Sequence, residues 1–283
     1  MNERICLITG ATSGIGKSTA FGLAESGYSV ILLGRNEQKC KQVSEHIKKK
    51  TGNEKVKYYV ADISLIKDVK KISGRIKNDF NRLDFLINNA GARFLNHQLT
   101  DEGIEITLAT NHLGHFILTN ELLPLLQNSD DPRIINISSG VHYGGKGVIK
   151  NITDPAAYDG RKQYSDSKLA NVLFTYELAE RLKENNVKTF VVDPGGVATN
   201  FSRNNGLKFW LKHLVYYLLK RQLISPKKAS RTIIYLATSD EVKNLTAKFY
   251  YEMKEKKSAD ISYDKSLQKS LWEMSEELIR KIN

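Results

Sequence analysis

Short unbroken apolar runs along the chain alternate with longer segments in which apolar residues return every three or four positions. The runs are "RICLIT", "YSVILLG", "KVKYYVA", "LDFLINNAG", "RIINISS", "VKTFVVDPG" and "LTAKFYYE". Continuous Val/Ile/Leu runs fit strands covered on both faces, whereas strict alternation marks one wet face. Helix-period segments fall near 15–26, 36–50, 65–79 and 101–127, then from "SKLANVLFTYELAERLKE", then near 226–238 and 264–281. Strand–helix repetition demands right-handed crossovers. It predicts a doubly wound parallel sheet of about seven strands with helices on both faces. No repeat, low-complexity segment or Pro/Gly-rich linker divides the chain, which reads as a single domain over 1–283. Residues 140–162 and 196–225 are the longest irregular stretches. Long loops at the carboxyl ends of strands are where such sheets bind ligands.

Composition changes this picture little. Of 283 residues, 41% are hydrophobic and 26% charged, as in soluble globular chains. Two cysteines, Cys6 and Cys40, exclude a disulfide framework and point to a reducing, cytoplasmic setting. The formal charge of +12 raises a nucleic-acid or anionic-membrane partner. Its basic residues are spread along the chain and form no basic–aromatic stripe, so a solvated lysine-rich surface is the better reading and nucleic acid is not expected. "MNERICLITGATSG" enters a strand almost at once, so no leader is expected before the fold. No apolar run approaches the roughly 18 residues of a membrane span.

The first candidate chemistry follows the first run. In "TGATSGIGKSTAFGLAESG", Gly10, Gly14 and Gly16 sit in a turn that opens a helix. Glycine lets a pyrophosphate approach the backbone, and the helix N-terminus offers it free N–H groups and partial positive charge. The spacing is G-x-x-x-G-x-G, not G-x-G-x-x-G, and plain turn punctuation is the alternative. Where NAD-binding folds carry an acidic residue after the second strand, this chain has Gly34 and Arg35. A guanidinium grips a 2′-phosphate that a carboxylate repels, so the expected cofactor is NADP(H), with Lys17 a possible helper. Asp62, ending the third run, either accepts a bond from an adenine amino group or caps the next helix.

"QYSDSK" places Tyr164 and Lys168 one helical turn apart. A phenol titrates near pH 10 unperturbed, and a neighbouring ammonium favours the phenolate. Alone, such a pair is common on helices. Together, "TGATSGIG", "NNAG", "NHLGHF", "ISS", "YSDSK" and "DPGGVATN" resemble the short-chain dehydrogenase/reductase family in order and approximate spacing. "SKLANVLFTYELAERL" and the tail "SADISYDKSLQKSLWEMSEELI" are most similar to its retinol-dehydrogenase-like branch. The resemblance implies a Rossmann-like fold and hydride transfer between nicotinamide and a carbonyl or alcohol. It implies Tyr164 as proton donor and acceptor, with Lys168 tuning it and holding the cofactor ribose. Ser139 would donate to the substrate oxygen, and Asn111 would hold a water of a proton relay. Gly10, Ser13, Gly14, Ile15, Gly16, Asp62, Ile63, Asn89, Ala90, Gly91, Pro194, Gly195, Val197 and Thr199 would line the cofactor. Two departures stand out. The Ser139–Tyr164 stretch exceeds the family's commonest spacing, as also in that branch, and should cover the substrate entrance. Ser13 stands where some NADP-preferring members have a basic residue. A non-catalytic NADP sensor is the alternative function, and an intact tetrad speaks against it.

Other suggestive residues read as structural. His112 and His115 have a metal-like spacing without an evident third ligand, so no metal is expected. Asp130–Asp131 reads as a turn before "RIINISS", and Asp154 and Asp159 as solvated. "GLKFWLKHLVYYLLKRQLISPKK" carries an apolar stripe of Trp210, Leu211, Leu214, Val215, Leu218 and Leu219 bordered by Lys208, Lys212, Lys220 and Arg221. It is expected to be a lid over an apolar substrate, with peripheral membrane contact through 206–222 the second reading. The tyrosine-bearing helix has two apolar stripes, one with Leu169, Val172, Leu173 and Tyr176 and another with Ala170, Phe174 and Leu178. With the family's habit of pairing helices here, this suggests a homodimer or homotetramer.

Overall fold

The computed structural model describes residues 4–147, 149–197, 205–206, 211 and 223–282. Thr199 and, apart from Gly206 and Leu211, the 206–222 stripe lie outside the described residues. The main elements are β1 (Ile5–Thr9), α1 (Gly14–Glu25), β2 (Ser29–Gly34), α2 (Glu37–Thr51), β3 (Val56–Val60), α3 (Ile66–Asp79) and β4 (Phe85–Asn88). There follow α4 (Ile106–Leu108), α5 (Gly114–Gln127), β5 (Arg133–Ile137), α6 (Gly160–Arg181), β6 (Lys188–Asp193), α7 (Pro226–Thr238), β7 (Lys248–Tyr251), β8 (Lys254–Lys256) and α8 (Lys265–Arg280).

The strands form one sheet in the order β3-β2-β1-β4-β5-β6-β7-β8, parallel from β3 to β7. The eighth strand departs from the expected seven: it is antiparallel and pairs Tyr251 with Lys254. Successive residues of each central strand feed opposite cores. Leu7, Leu33, Leu86 and Ile134 meet α3, α5, α6 and α8, whereas Ile8, Leu32, Ile87 and Ile135 meet α1, α2 and α7. Both faces are therefore dry, which is why the strands read as unbroken apolar runs.

The helical stretch expected from 101 begins at Ile106 and contains a π-helical segment, Ala109–Leu113, before α5. Asp131, expected in a turn, is the buried partner of Arg133, whose Nε and Nη2 reach its carboxylate at 3.1 and 2.6 Å. The second stripe of α6 is covered by α8 from the same chain. Trp272 meets Phe116 at 4.7 Å and Phe174 at 5.9 Å between ring centroids. The two apolar faces of α6 are thus accounted for within one chain, which removes that ground for inferring a second copy. Among the described residues no helix is long and apolar enough to cross a membrane.

Candidate active site

The strand order reverses between β1 and β4, so the loops after these strands diverge and leave a crevice at their carboxyl ends. The glycine turn lines it. Gly10 has φ 64°, and a Cβ there would stand 2.9 Å from the Ala90 Cα; one on Gly16 would stand 2.5 Å from the Gly10 carbonyl oxygen. No side chain larger than hydrogen fits this close approach of the two loops. Thr9, which the sequence reading passed over, fastens them: its Oγ1 accepts the Asn89 and Ala90 N–H groups at 2.8 and 2.9 Å. The Asn89 amide returns a bond to Thr9 O at 2.8 Å.

The start of α1 is open. Ser13 caps it without a side-chain hydrogen bond. By contrast Asn36, Asp159, Ser225 and Asp264 cap α2, α6, α7 and α8, and Glu102 takes the first N–H groups of α3. Uncapped N–H groups behind a glycine turn suit an anionic pyrophosphate. Arg35 is exposed immediately after β2. A Cβ on Gly34 would stand 2.9 Å from both Cys40 Sγ and Thr12 Cγ2, so a carboxylate there would have to displace these side chains. The Asp62 Oδ1 accepts from Ser64 N and Oγ at 2.9 and 2.6 Å, a local turn before α3; it does not cap that helix, whose first N–H groups Glu102 takes.

The Tyr164 and Lys168 side chains meet. The Lys168 Nζ lies 5.9 Å from the centroid of the half-buried Tyr164 ring. Three bonds dock this part of α6 on the end of β5: Lys168 Nζ and Asn171 Nδ2 donate to Ile137 O at 3.2 and 2.9 Å, and Ser138 Oγ donates to Lys168 O at 2.7 Å. Burial lowers the Lys168 pKa to about 8, opposed by the negative charge of Asp193. Ser139 is the second residue after β5. His142 holds it, donating from Nδ1 to Ser139 O at 2.7 Å and accepting from Ala259 N at Nε2.

Asn111 sits in the π-helical segment, a common device for placing a functional side chain. Its amide clamps Ala92, accepting from N at 2.8 Å and donating to O at 2.9 Å, and also donates to Ser167 Oγ. The Asn111 carbonyl accepts from His115 Nδ1 at 3.2 Å. That proton position leaves His115 Nε2 as acceptor for the Thr9 hydroxyl at 3.0 Å.

Asp193, unremarked in the sequence although it begins "DPGG", lies beneath these groups. It accepts from Gly195 N at 2.9 Å, and a Cβ on Gly140 would stand 3.1 Å from its Oδ2. Burial raises its pKa; backbone N–H groups of Gly195 and Gly140, then His142 and Lys168, oppose the rise. Val197 pairs with Ile224, and Ile224 N donates to Gly196 O at 2.9 Å. The chain between them therefore leaves and returns at one point beside β6. The 140–162 insertion lies along the loop after β4, through His97 to Ile152 O at 2.8 Å, Asn151 to Glu105 N at 2.8 Å and Tyr158 to Phe94 O at 2.9 Å.

Buried His112 and His115 bear on stability. Burial, first of all, lowers their pKa values to about 3 and about 4, so both are neutral in the folded chain near neutrality. Below about pH 6.5 the unfolded chain binds protons that the folded chain refuses. Stability is therefore expected to fall as pH drops from about 6.5 towards 4, by a few kcal/mol at about 1.4 kcal/mol per pH unit and site. Urea midpoints for wild type and His112→Gln across this range check it, the variant showing the shallower fall.

A sheet switch point, an open helix start and a Tyr–Lys pair at the strand ends define a Rossmann-like oxidoreductase. Residues 4–208 match the family model described as "short chain dehydrogenase", and the chain belongs to that family. Within it, the chain belongs to the retinol-dehydrogenase-like branch and acts on CH–OH or C=O groups. It is 36% identical to human polyprenol dehydrogenase, covering 98% of this chain and 85% of that one. Identity to mouse retinol dehydrogenase 13 is 34%, over 96% of this chain and 83% of that one. Among solved structures, an uncharacterized protein from Mycobacterium paratuberculosis superposes with TM-score 0.76 at 27% identity, covering 98% of this chain and 93% of that one. A short chain dehydrogenase from Shigella flexneri complexed with NADP superposes with TM-score 0.70 at 25% identity, covering 90% and 98%.

Proposed function

We propose that this chain is an NADP(H)-dependent enzyme that interconverts a lipophilic alcohol and its carbonyl form, in a single cofactor-binding domain. The observation that carries the reading is the buried Lys168 ammonium held against the Tyr164 ring at the end of β5. Bound NADP(H) supplies or accepts the hydride. The protein's task is then the proton on the substrate oxygen. Tyr164 gives that proton in reduction and takes it in oxidation, and Lys168 favours the phenolate the exchange requires. Ser139 donates to the substrate oxygen as charge grows there. Asn111 holds the loop after β4 in place through Ala92, and its carbonyl, shared with His115, is the group left to meet a relay water.

The glycine turn and open start of α1 would hold the pyrophosphate. Asn89, Ala90 and Gly91 would flank the adenosine ribose, and Pro194, Gly195, Val197 and Thr199 the nicotinamide. Arg35 beside the crowded Gly34 supports NADP over NAD, as do related structures complexed with NADP and NADPH. Relatives named for polyprenol and retinol support an apolar alcohol or aldehyde. The test is NADPH consumption with a panel of aldehydes and ketones of rising chain length. Arg35→Asp is expected to weaken NADPH binding at least about tenfold more than NADH binding. Equal weakening would refute the 2′-phosphate role.

A further inference from the structure

Arg93 comes two residues after "NNAG", and nothing in the sequence pattern marks it. Its guanidinium carbon lies 5.7 Å from the Tyr164 ring centroid, beside the 5.9 Å of Lys168 Nζ. Both distances fall in the range where a cation is attracted to an aromatic ring. The phenol thus has two cations, one from its own helix and one from the loop after β4.

The backbone that carries Arg93 is held on every side. Asn111 bonds both polar groups of Ala92. Asn205 donates to Arg93 O at 2.7 Å and accepts from Leu95 N at 2.9 Å. Tyr158 donates to Phe94 O at 2.9 Å. A segment fixed at four successive residues presents its side chain at small entropic cost, which is what a preorganised charge requires.

We infer that Arg93 is a positioning residue for Tyr164: its fixed positive charge favours the phenolate and holds the ring for proton exchange. This rests on Tyr164 being the proton-exchanging group. Among the described residues, the charged groups against the phenol ring are Lys168 on α6 and Arg93 on the loop after β4, with Asp193 at the end of β6 and His115 on α5 coupled to Lys168. Asp193 and His115 reach it through Lys168, which the Asp193 carboxylate keeps charged and with which a protonated His115 would compete. Lys168 sits between a carboxylate and a carbonyl, so its field at the phenol is partly offset. Arg93 adds a charge whose pKa lies far above the working range.

The test is the pH profile of alcohol oxidation by the NADP+-saturated enzyme. Arg93→Met is expected to move the acid limb to higher pH by about one unit, a rate loss of about tenfold near neutrality that disappears in alkali. Arg93→Lys, which keeps the charge, is expected to hold the limb near its wild-type position. Arg93→Gln provides a second neutral variant should the methionine chain fail to fold. An unshifted limb in the neutral variants overturns the inference, including the case in which KM alone rises and Arg93 proves a substrate contact. Tyr164→Phe run alongside separates the two levels. If it keeps turnover, the reading of Tyr164 itself fails; if it is inactive while the limb stays fixed, only the role of Arg93 fails.

Discussion

Tyr164→Phe is expected to lower kcat for carbonyl reduction by about 10²- to 10⁴-fold, the usual share of a positioned general acid. NADPH affinity should stay within about twofold, because the ring remains between its two cations and only one oxygen is lost. The fall should appear equally in kcat and kcat/KM, since the missing proton transfer belongs to the transition state. Steady-state rates and a fluorescence titration of NADPH measure the two quantities. Retained turnover would mean that the substrate proton travels by another route, Ser139 being the hydroxyl proposed to meet the substrate oxygen. A wild-type chain that binds NADPH and turns over nothing on a broad panel would point to a redox sensor. The buried Lys168 makes that outcome costly to rationalise. Burial pulls its pKa down to about 8, and Asp193 and Ile137 O act against the loss of its charge. Such a group is expensive to keep in a protein that moves no proton.

The glycine turn and the one-turn spacing of Tyr164 and Lys168 could be read from sequence because each is a local pattern on a predictable element, whereas Ser139 and Asn111 stand out through the family resemblance. The seven parallel strands were legible for the same reason: burial on both faces leaves a run with no polar interruption. β8 was not. Its residues are Lys, Glu and Lys, all exposed, and the two-residue turn before it places Glu252 and Met253 at φ 49° and 59° without the Asn-Gly pair that announces such hairpins. The π-helical segment escaped because shifting one hydrogen-bond register leaves the apolar period nearly intact. The two stripes on α6 correctly signalled two buried faces, but periodicity cannot say which residues cover them, and α8 supplies the cover. Thr9, Arg93 and Asp193 depend on partners from distant segments, which no local pattern carries. Each became visible only when the loops after β1, β4, β5 and β6 came together.

Gly114→Ala is expected to be the most damaging small substitution. Gly114 begins α5 directly after the segment that holds Asn111, and a Cβ there would land on the carbonyl oxygen of Ile63. Both partners are backbone, so no change of rotamer relieves the overlap. Retreat of α5 is opposed by His115 on Thr9 and by Asn111 on Ala92. Retreat of the Ile63 turn is opposed by the bonds between Asp62 and Ser64. Overpacking of this kind costs about 3 kcal/mol or more, which lowers Tm by roughly 5–10 °C for a chain of this size. Gly74→Ala is the matched control. It lies inside α3 with nothing within 4 Å of a new Cβ, so it should stabilise by about 0.5–1 kcal/mol. Urea melts of the two variants should therefore move in opposite directions. The Ile63 turn also lies on the proposed adenine side of the crevice, so Gly114→Ala should weaken NADPH binding while Gly74→Ala leaves it unchanged. Equal stability for the two variants would show that α5 and the Ile63 turn are not in backbone contact. The route by which the π-helical segment carries both Asn111 and the cofactor wall would then fail.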